Sequence, residues 1–338
     1  MCSEKKQCFM FKKIEIWVLY LTLLFSILFA IGFGVLVRQE LVGSTKAGWV
    51  SKTALTLAEI PVNLKKIIGS DLVADDRFPT LNGFNGTHNS EESYLLLSRN
   101  DGDLREGVVE LVDLRNFEIL HTWNPDIDAF NDLVEQVDEF KYLDRDKNNK
   151  RSSLIHPKLT SDGGLLFQDD TPLRKINACS NLISQTSHDR FHHSIETDID
   201  GNIWVPSRIY PQSLPIEKVG RDIVDDDGFY DDTIVKLSSD GEILFEKSVS
   251  QIFIDNGLGY LLFSVGDRSF DTDPIHLNDI QPVNSDEEFW KKGDVFLSLR
   301  HQSMVLLYRP STNEIIWKGV GPFFHQHDVD ILDEHRIS

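Results

Sequence analysis

Cysteine is scarce. The 338-residue chain has three, Cys2, Cys8 and Cys179. Two of them precede the first apolar segment, so the body of the chain has no pair from which to build a disulfide framework. No Cys-x-x-Cys occurs, which excludes a structural zinc site of that type. Basic charge is also in deficit: 34 Lys and Arg stand against 54 Asp and Glu, a formal net charge of −20. A nucleic-acid partner needs a basic face, so none is expected. The acidic balance says only that the soluble part stays solvated. Against that background, any local cluster of His and Arg becomes informative.

One long apolar run is present. Ile16 to Val37 carries no charge and is about long enough to cross a bilayer as a helix. Lys5, Lys6, Lys12 and Lys13 precede it and Arg38 follows. That basic excess predicts a cytoplasmic N-terminus and an exported body. A cleaved signal peptide is the alternative, but no small-x-small site ends the run, because Gly32-Phe33-Gly34-Val35 leads into more apolar residues. The expected partition is a cytoplasmic segment 1–13, a signal anchor 14–37, a stalk 38–75 and a body 76–338. Leu55, Ile60, Leu64 and Ile67 give the stalk a helical spacing.

From about residue 92 the pattern becomes short β-rich runs separated by turn residues, and one unit recurs. His193 is followed by Asp200-Gly201-Asn202, then strands at 203–205, 233–237 and 243–245 with Asp240-Gly241 as the second turn. An earlier copy has His156, Ser161-Asp162-Gly163-Gly164 and strands at 165–167, 173–176 and 182–183. A later one has His276, Gly293-Asp294 and strands at 295–297, 304–308 and 314–317. A partial first unit covers 94–97, 108–112 and 117–123. Four-stranded units of this length are the signature of propeller blades. The expected fold is therefore all-β, a β-propeller with about four to five blades present behind an N-terminal transmembrane helix. A β-sandwich of irregular hairpins is the competing reading. Against it, His156, His193 and His327 each precede an apolar strand position (Leu166, Ile203, Ile337) by the same interval. After His327 only one strand and the start of another remain, so the ring reads as truncated within a fifth blade.

Equivalent positions in successive blades lie on a ring around the axis. His156, His193, His276 and His327 form one expected ring. Arg208 and Arg300, each seven residues after its turn glycine, form a second, with Arg99 in a similar strand ending. A mouth lined by His and Arg in an acidic protein should bind an anion. Strand alternation separates His192 from His193, leaving one of them structural. His325 and His327 are expected to share a face, as are His276 and Asn278. Such His-x-His spacing also suits a metal, which keeps a metal-dependent hydrolase on His276, His325 and His327 as an alternative. Arg300 and the lack of a ring carboxylate weigh against it. Asp225-Asp226-Asp227 reads as a solvated loop or a calcium site. Asp144-x-Asp146-x-Asn148 lacks the glycine and glutamate that an EF-hand needs.

The stretches His192-His193, Asp273-Pro274-Ile275-His276-Leu277-Asn278, Gly293 to Arg300 and Gln326-His327-Asp328 resemble the bacterial arylsulfate sulfotransferases. The likeness covers roughly residues 90–338. These are six-bladed propellers that move a sulfuryl group from an aryl sulfate to a phenol without a nucleotide donor, through a histidine on the axis. The resemblance implies His327 as nucleophile, His276, Asn278 and Arg300 around the sulfate, and His193 as a further axial histidine. His192, Arg208 and His325 would line the substrate. It implies no cofactor or metal, and a small-molecule aryl sulfate and phenol as partners; with the N-terminal anchor, the expected location is the inner membrane, with the body facing the periplasm. Two features depart from the family: the missing C-terminal blades, and an anchor where family members are soluble. A tethered, non-catalytic anion-binding propeller is the alternative function.

Overall fold

The computed structural model describes residues 15–41, 47–68, 83–84, 86–134, 140, 143–186, 190–209, 212–214, 229–263 and 272–338. Cys2, Cys8, the N-terminal lysines and the Asp225–Asp227 run lie outside them.

The chain divides into two compact units. The N-terminal unit holds helix α1 (Ile16–Leu41) and helix α2 (Trp49–Ile68). At about 1.5 Å per residue, α1 is about 39 Å long. It is long and apolar enough to cross a membrane, a property that N-terminal signal sequences share. The helix runs past Val37 to Leu41, so its last turn replaces the start of the expected stalk. Helix α2 packs against α1. Its Ser51, Ala54 and Leu55 form a buried stripe at helical spacing, and Ser51 Oγ donates to Glu40 Oε2 at 2.8 Å.

The second unit is built of antiparallel sheets in which strands follow chain order. The first contains β1 (Tyr94–Asp101), β2 (Glu106–Asp113) and β3 (Glu118–Trp123). The second contains β4 (Ile155–Leu159), β5 (Leu165–Gln168), β6 (Leu173–Ile176) and β7 (Leu182–Thr186). Strands β8 (Glu196–Thr197), β9 (Ile203–Arg208), β10 (Asp232–Leu237) and β11 (Ile243–Ser248) form the third. The fourth has β12 (Leu277–Pro282), β13 (Val295–Leu299), β14 (Met304–Arg309) and β15 (Glu314–Val320). A hairpin, β16 (Ile331–Asp333) and β17 (Arg336–Ile337), ends the chain. Short helices α3 (Ile127–Asn131), α4 (Leu143–Asp146), α5 (Val249–Asp255) and α6 (Tyr260–Phe263) lie in the connections. Every strand anticipated from the repeat is present.

Because side chains alternate across a strand, a strand buried on both faces reads as a continuous apolar run. That is the pattern of Leu165-Leu166-Phe167 and of Val295 to Leu299. Leu165 and Phe167 pack with Val109 and Trp123 of the first sheet. Leu166 packs instead with Ile203, Val205 and Val235 of the third. Val295, Leu297 and Leu299 face Ile234 of the third sheet together with Val249, Ile252 and Phe253 of α5. Phe296 and Leu307 face the final hairpin through Val329, Ile331 and Ile337. Each such side chain stabilises the fold by about 1.5–3 kcal/mol relative to exposure.

Hydrogen bonds repeat between successive sheets. Ser98 Oγ donates to the Ser153 carbonyl at 2.7 Å, and Gln168 Nε2 to the His193 carbonyl at 2.6 Å. Leu277 N–H donates to Asp232 Oδ2 at 2.7 Å, and Val329 N–H to Asp279 Oδ2 at 3.3 Å. At the opposite end the Asp-Gly turns carry Gly163 and Gly201, and the Gly293-Asp294 turn carries Gly293, at φ 81°, 81° and 90°, a backbone region in which only glycine is at ease.

Candidate functional site

Four histidines sit at or just before the first strands of their sheets with left-handed backbones: His156 (φ 48°), His193 (61°), His276 (54°) and His325 (50°). Such conformations are uncommon outside glycine and persist only where the surroundings enforce them. The conformational partner of His156, His193 and His276 is thus His325, not His327. The register expected from the even spacing is displaced by two residues in the last hairpin. His193 also lies in the loop ahead of β8, so backbone twist rather than strand alternation separates it from His192.

His327 nevertheless reaches the cluster. The His193 ring centroid is 5.0 Å from His276 and 6.1 Å from His327. Three hydrogen bonds fix the loop that carries His327. Gln326 Nε2 donates to the carbonyls of Leu299 (3.1 Å) and Met304 (2.9 Å), the pair next to the 300–303 turn that joins β13 to β14. Asn278 Nδ2 donates to the Gln326 carbonyl at 3.0 Å. Asn278 is 1% exposed and its amide N–H is spent on that loop. It braces the loop of His327 and, being buried, does not share a solvent face with partly exposed His276.

Each histidine has a distinct environment. His192 is buried. Its Nε2 lies 3.4 Å from Asp232 Oδ1, and its Nδ1 is 2.7 Å from His193 Nδ1. With the His192 proton on the Asp232 side, His193 Nδ1–H donates to His192 and His193 keeps its Nε2 lone pair for the cluster. His192 is the buried member of the pair, set between Asp232 and His193. Burial, with the charges of His192, His276, His156 and His327, pushes the His193 pKa down to about 3. Burial, then the charges of Arg300 and His276, also lowers that of His327, with Asp328 opposing. His156 is lowered by burial and by His327, again against Asp328. His193 and His327 are therefore neutral at pH 7.

Two residues that the sequence reading passed over complete the site. Asp273 Oδ2 accepts from His276 Nδ1 at 2.5 Å, leaving His276 Nε2 for other partners. Burial opposes ionisation of Asp273, but the hydrogen bond from His276 and the charges of His276, Arg208 and His301 outweigh it and hold the carboxyl below its usual range. His301 stacks 4.5 Å from His276 and lies 6.2 Å from exposed His325. Adjacency to Arg300, and the Asp three residues before His276, were the signals available for both.

Arg300 Nη1 is 2.9 Å from His301 Nε2. Arg208 lies over the Tyr230 ring at 4.1 Å, with Nη2 3.9 Å from Asp273 Oδ2. Arg99 is elsewhere. Its guanidinium forks onto Glu110 and also bonds Asp101, so it takes no part in the cluster. Asp232 Oδ1 lies 3.4 Å from His192 Nε2 and 3.6 Å from Arg208 Nε, while Asn278 Oδ1, Arg300 Nε and Gln326 Oε1 are buried without hydrogen-bond partners. Orphaned polar atoms gathered in one place mark a site for water or ligand.

Among the described residues, Asp273, His276 and His301 are the group whose ligand atoms lie within 4.8 Å of one another, as a metal would require. This is not the expected His276, His325 and His327 trio. Arg300 and Arg208 flank it, and two cations beside three ligands disfavour a third.

Residues 156–338, more than half of the chain, match the family model described as arylsulfotransferase (ASST). No curated protein matches the sequence. Among solved structures, a protein of unknown function from Bacteroides caccae is 11% identical with a TM-score of 0.34, covering 63% of this chain and 54% of its own. Kuenenia stuttgartiensis hydrazine synthase is 10% identical with a TM-score of 0.35, covering 64% and 49%. The chain spans about half the length of each.

Proposed function

The chain belongs to the arylsulfotransferase family, and on that premise we propose that it transfers a sulfuryl group from an aryl sulfate to a phenol through a sulfohistidine on His327, without a nucleotide. The observation that carries the reading is the meeting of His193, His276 and His327, drawn from three successive stretches of chain, beside Arg300.

Sulfuryl transfer resembles phosphoryl transfer, a loose in-line displacement in which the protein mainly positions groups and balances charge. A neutral imidazole nitrogen is a competent nucleophile, and His327 is exposed and neutral. Its nitrogen bonds to sulfur as the bond from sulfur to the aryl oxygen breaks and the aryloxide departs. A phenol oxygen then takes the sulfuryl group and loses its proton. Arg300, with Arg208 nearby, offers guanidinium N–H donors to the sulfuryl oxygens. His276 Nε2 faces the same space, and the His193 lone pair suits the phenolic hydroxyl.

We read the sheets as blades of a propeller. Support comes from their chain-order meanders, burial on both faces and the hydrogen bond that recurs from each sheet to the next. Residues 14–37 are proposed as an inner-membrane anchor and 38–75 as a connecting stalk, with the body 76–338 on the periplasmic side.

The test is to incubate the full chain with 4-nitrophenyl sulfate. Nitrophenol release that depends on added phenol, with phenyl sulfate as co-product, is expected. Release independent of phenol would indicate a sulfatase. Calorimetric binding of the aryl sulfate with no turnover would indicate a tethered, non-catalytic anion-binding body.

A further inference from the structure

We propose that His301 is a positioning residue: held in one tautomer by the Asp273 carbonyl, it accepts a hydrogen bond from Arg300 and aims that guanidinium at the sulfuryl group. The inference rests on the reading of Arg300 as a sulfate contact.

The geometry has two links. His301 Nδ1 is 2.5 Å from the Asp273 backbone carbonyl. A carbonyl only accepts, so Nδ1 carries the proton. In the neutral ring Nε2 then holds a lone pair, and Arg300 Nη1 donates to it at 2.9 Å. A guanidinium has donors only, so no other tautomer of His301 satisfies both partners. The main chain reinforces the arrangement. Arg300 N–H donates to the His276 carbonyl and His301 N–H to that of Ile275, each at 3.1 Å. Asp273 thereby governs two imidazoles, His276 through its carboxylate and His301 through its carbonyl. The titratable and charged groups around His301 are Arg300, Asp273, His276 and His325, with Arg208 beyond Asp273.

A partner behind a donor that fixes its direction acts mainly on the transition state, where misplaced charge costs most. His301→Leu removes the acceptor and should lower kcat more than it raises KM, with kcat/KM falling about 10- to 100-fold. His301→Gln restores a neutral acceptor and a donor for Asp273, and should recover most of that loss. In an Arg300→Lys background the angular requirement is gone, so adding His301→Leu should change kcat/KM by less than about twofold. Equal losses in Leu and Gln, or the same loss with and without Arg300→Lys, would overturn the proposal.

The tautomer can be read without turnover. Nitrogen-15 NMR of the imidazoles in the full chain should show His301 protonated at Nδ1, and protonation at Nε2 alone would also overturn it. If the protein transfers no sulfuryl group but His301 and Arg300 remain coupled in calorimetric binding of inorganic sulfate, the functional reading fails and the brace stands. If transfer occurs and the two residues act additively, the brace fails alone.

Discussion

The two ends of the same strands are built on different principles. At the turn end most side-chain hydrogen bonds close within a few residues, with single ties to other sheets such as Ile199 N–H to Asn284 Oδ1 at 2.8 Å and Trp123 Nε1–H to the Gly163 carbonyl at 3.2 Å. Asp198 accepts from the backbone and side-chain amides of Asn202 and from Trp204, and Asp162 serves Thr160 and Gly164. At the histidine end the partners come from other sheets, the backbone is held left-handed, and polar atoms are left buried without partners. Local satisfaction makes a turn stable wherever it is placed. Cross-sheet satisfaction ties the geometry of the histidines to the packing of the whole body. Substitutions at the histidine end should therefore remove activity while the fold survives, and those at the turn end should do the reverse.

The largest expected effect is at the histidine end. On the proposed role of His327 as nucleophile, His327→Ala should lower sulfuryl transfer by more than about 10³-fold, with an unchanged melting temperature because the ring is exposed. Retained activity would move the nucleophile to another histidine. Next comes Arg300→Lys, which keeps the charge but loses the fork. Loss of one aimed donor at developing charge costs about 10²- to 10³-fold in kcat, and a kinetic comparison at saturating donor measures it. An effect confined to KM would mean that Arg300 binds substrate and transition state alike.

The same contrast explains what was legible in the sequence. The Asp-Gly turns and apolar runs are local signals, and they led to strands β1 to β15 and to the spacing that brought His193, His276 and His327 together. Three things had no local signature. The exchange of His325 for His327 as the left-handed member is a backbone conformation set by the surroundings of that loop. The burial of Asn278 belongs to a strand buried on both faces, Leu277, Asp279 and Ile280 included. Asp273 and His301 matter through a carbonyl and a tautomer, which residue letters do not carry. Arg99 failed for the opposite reason: its letters resemble the strand endings at Arg208 and Arg300, but it lies inside β1 and Glu110 on the adjacent strand claims it.

At the turn end, Gly201→Ala tests the converse. Open space surrounds the site, so the added methyl meets nothing, and the cost is that of placing alanine at φ 81°. That is about 1–2 kcal/mol, read as a lower midpoint in urea unfolding, with kcat per folded molecule unchanged. Loss of turnover without loss of stability would show that the two ends are coupled.

The smallest effect concerns the floor beneath the histidines. Asp279 is fully buried. Its Oδ2 and Asp328 Oδ1 both accept from Val329 N–H, at 3.3 and 3.2 Å, which crowds two carboxyls together. Burial raises the Asp279 pKa well above its ordinary value, the hydrogen bond from Ser194 opposes this, and the charges of Asp328 and Glu196 raise it further. Below the unfolded carboxyl pKa of about 3.9, both folded and unfolded chains hold the proton. As pH rises beyond it, the unfolded chain releases the proton first, so stability declines until the folded pKa is passed. Asp279→Asn keeps an acceptor for Val329 and cannot ionise. It should raise Tm at pH 7 by about 2–4 °C, equivalent to about 1 kcal/mol, and should lose that advantage as the pH falls towards 4. A variant less stable than the parent at pH 7 would mean that the Asp279 carboxylate is ionised and needed in the folded protein.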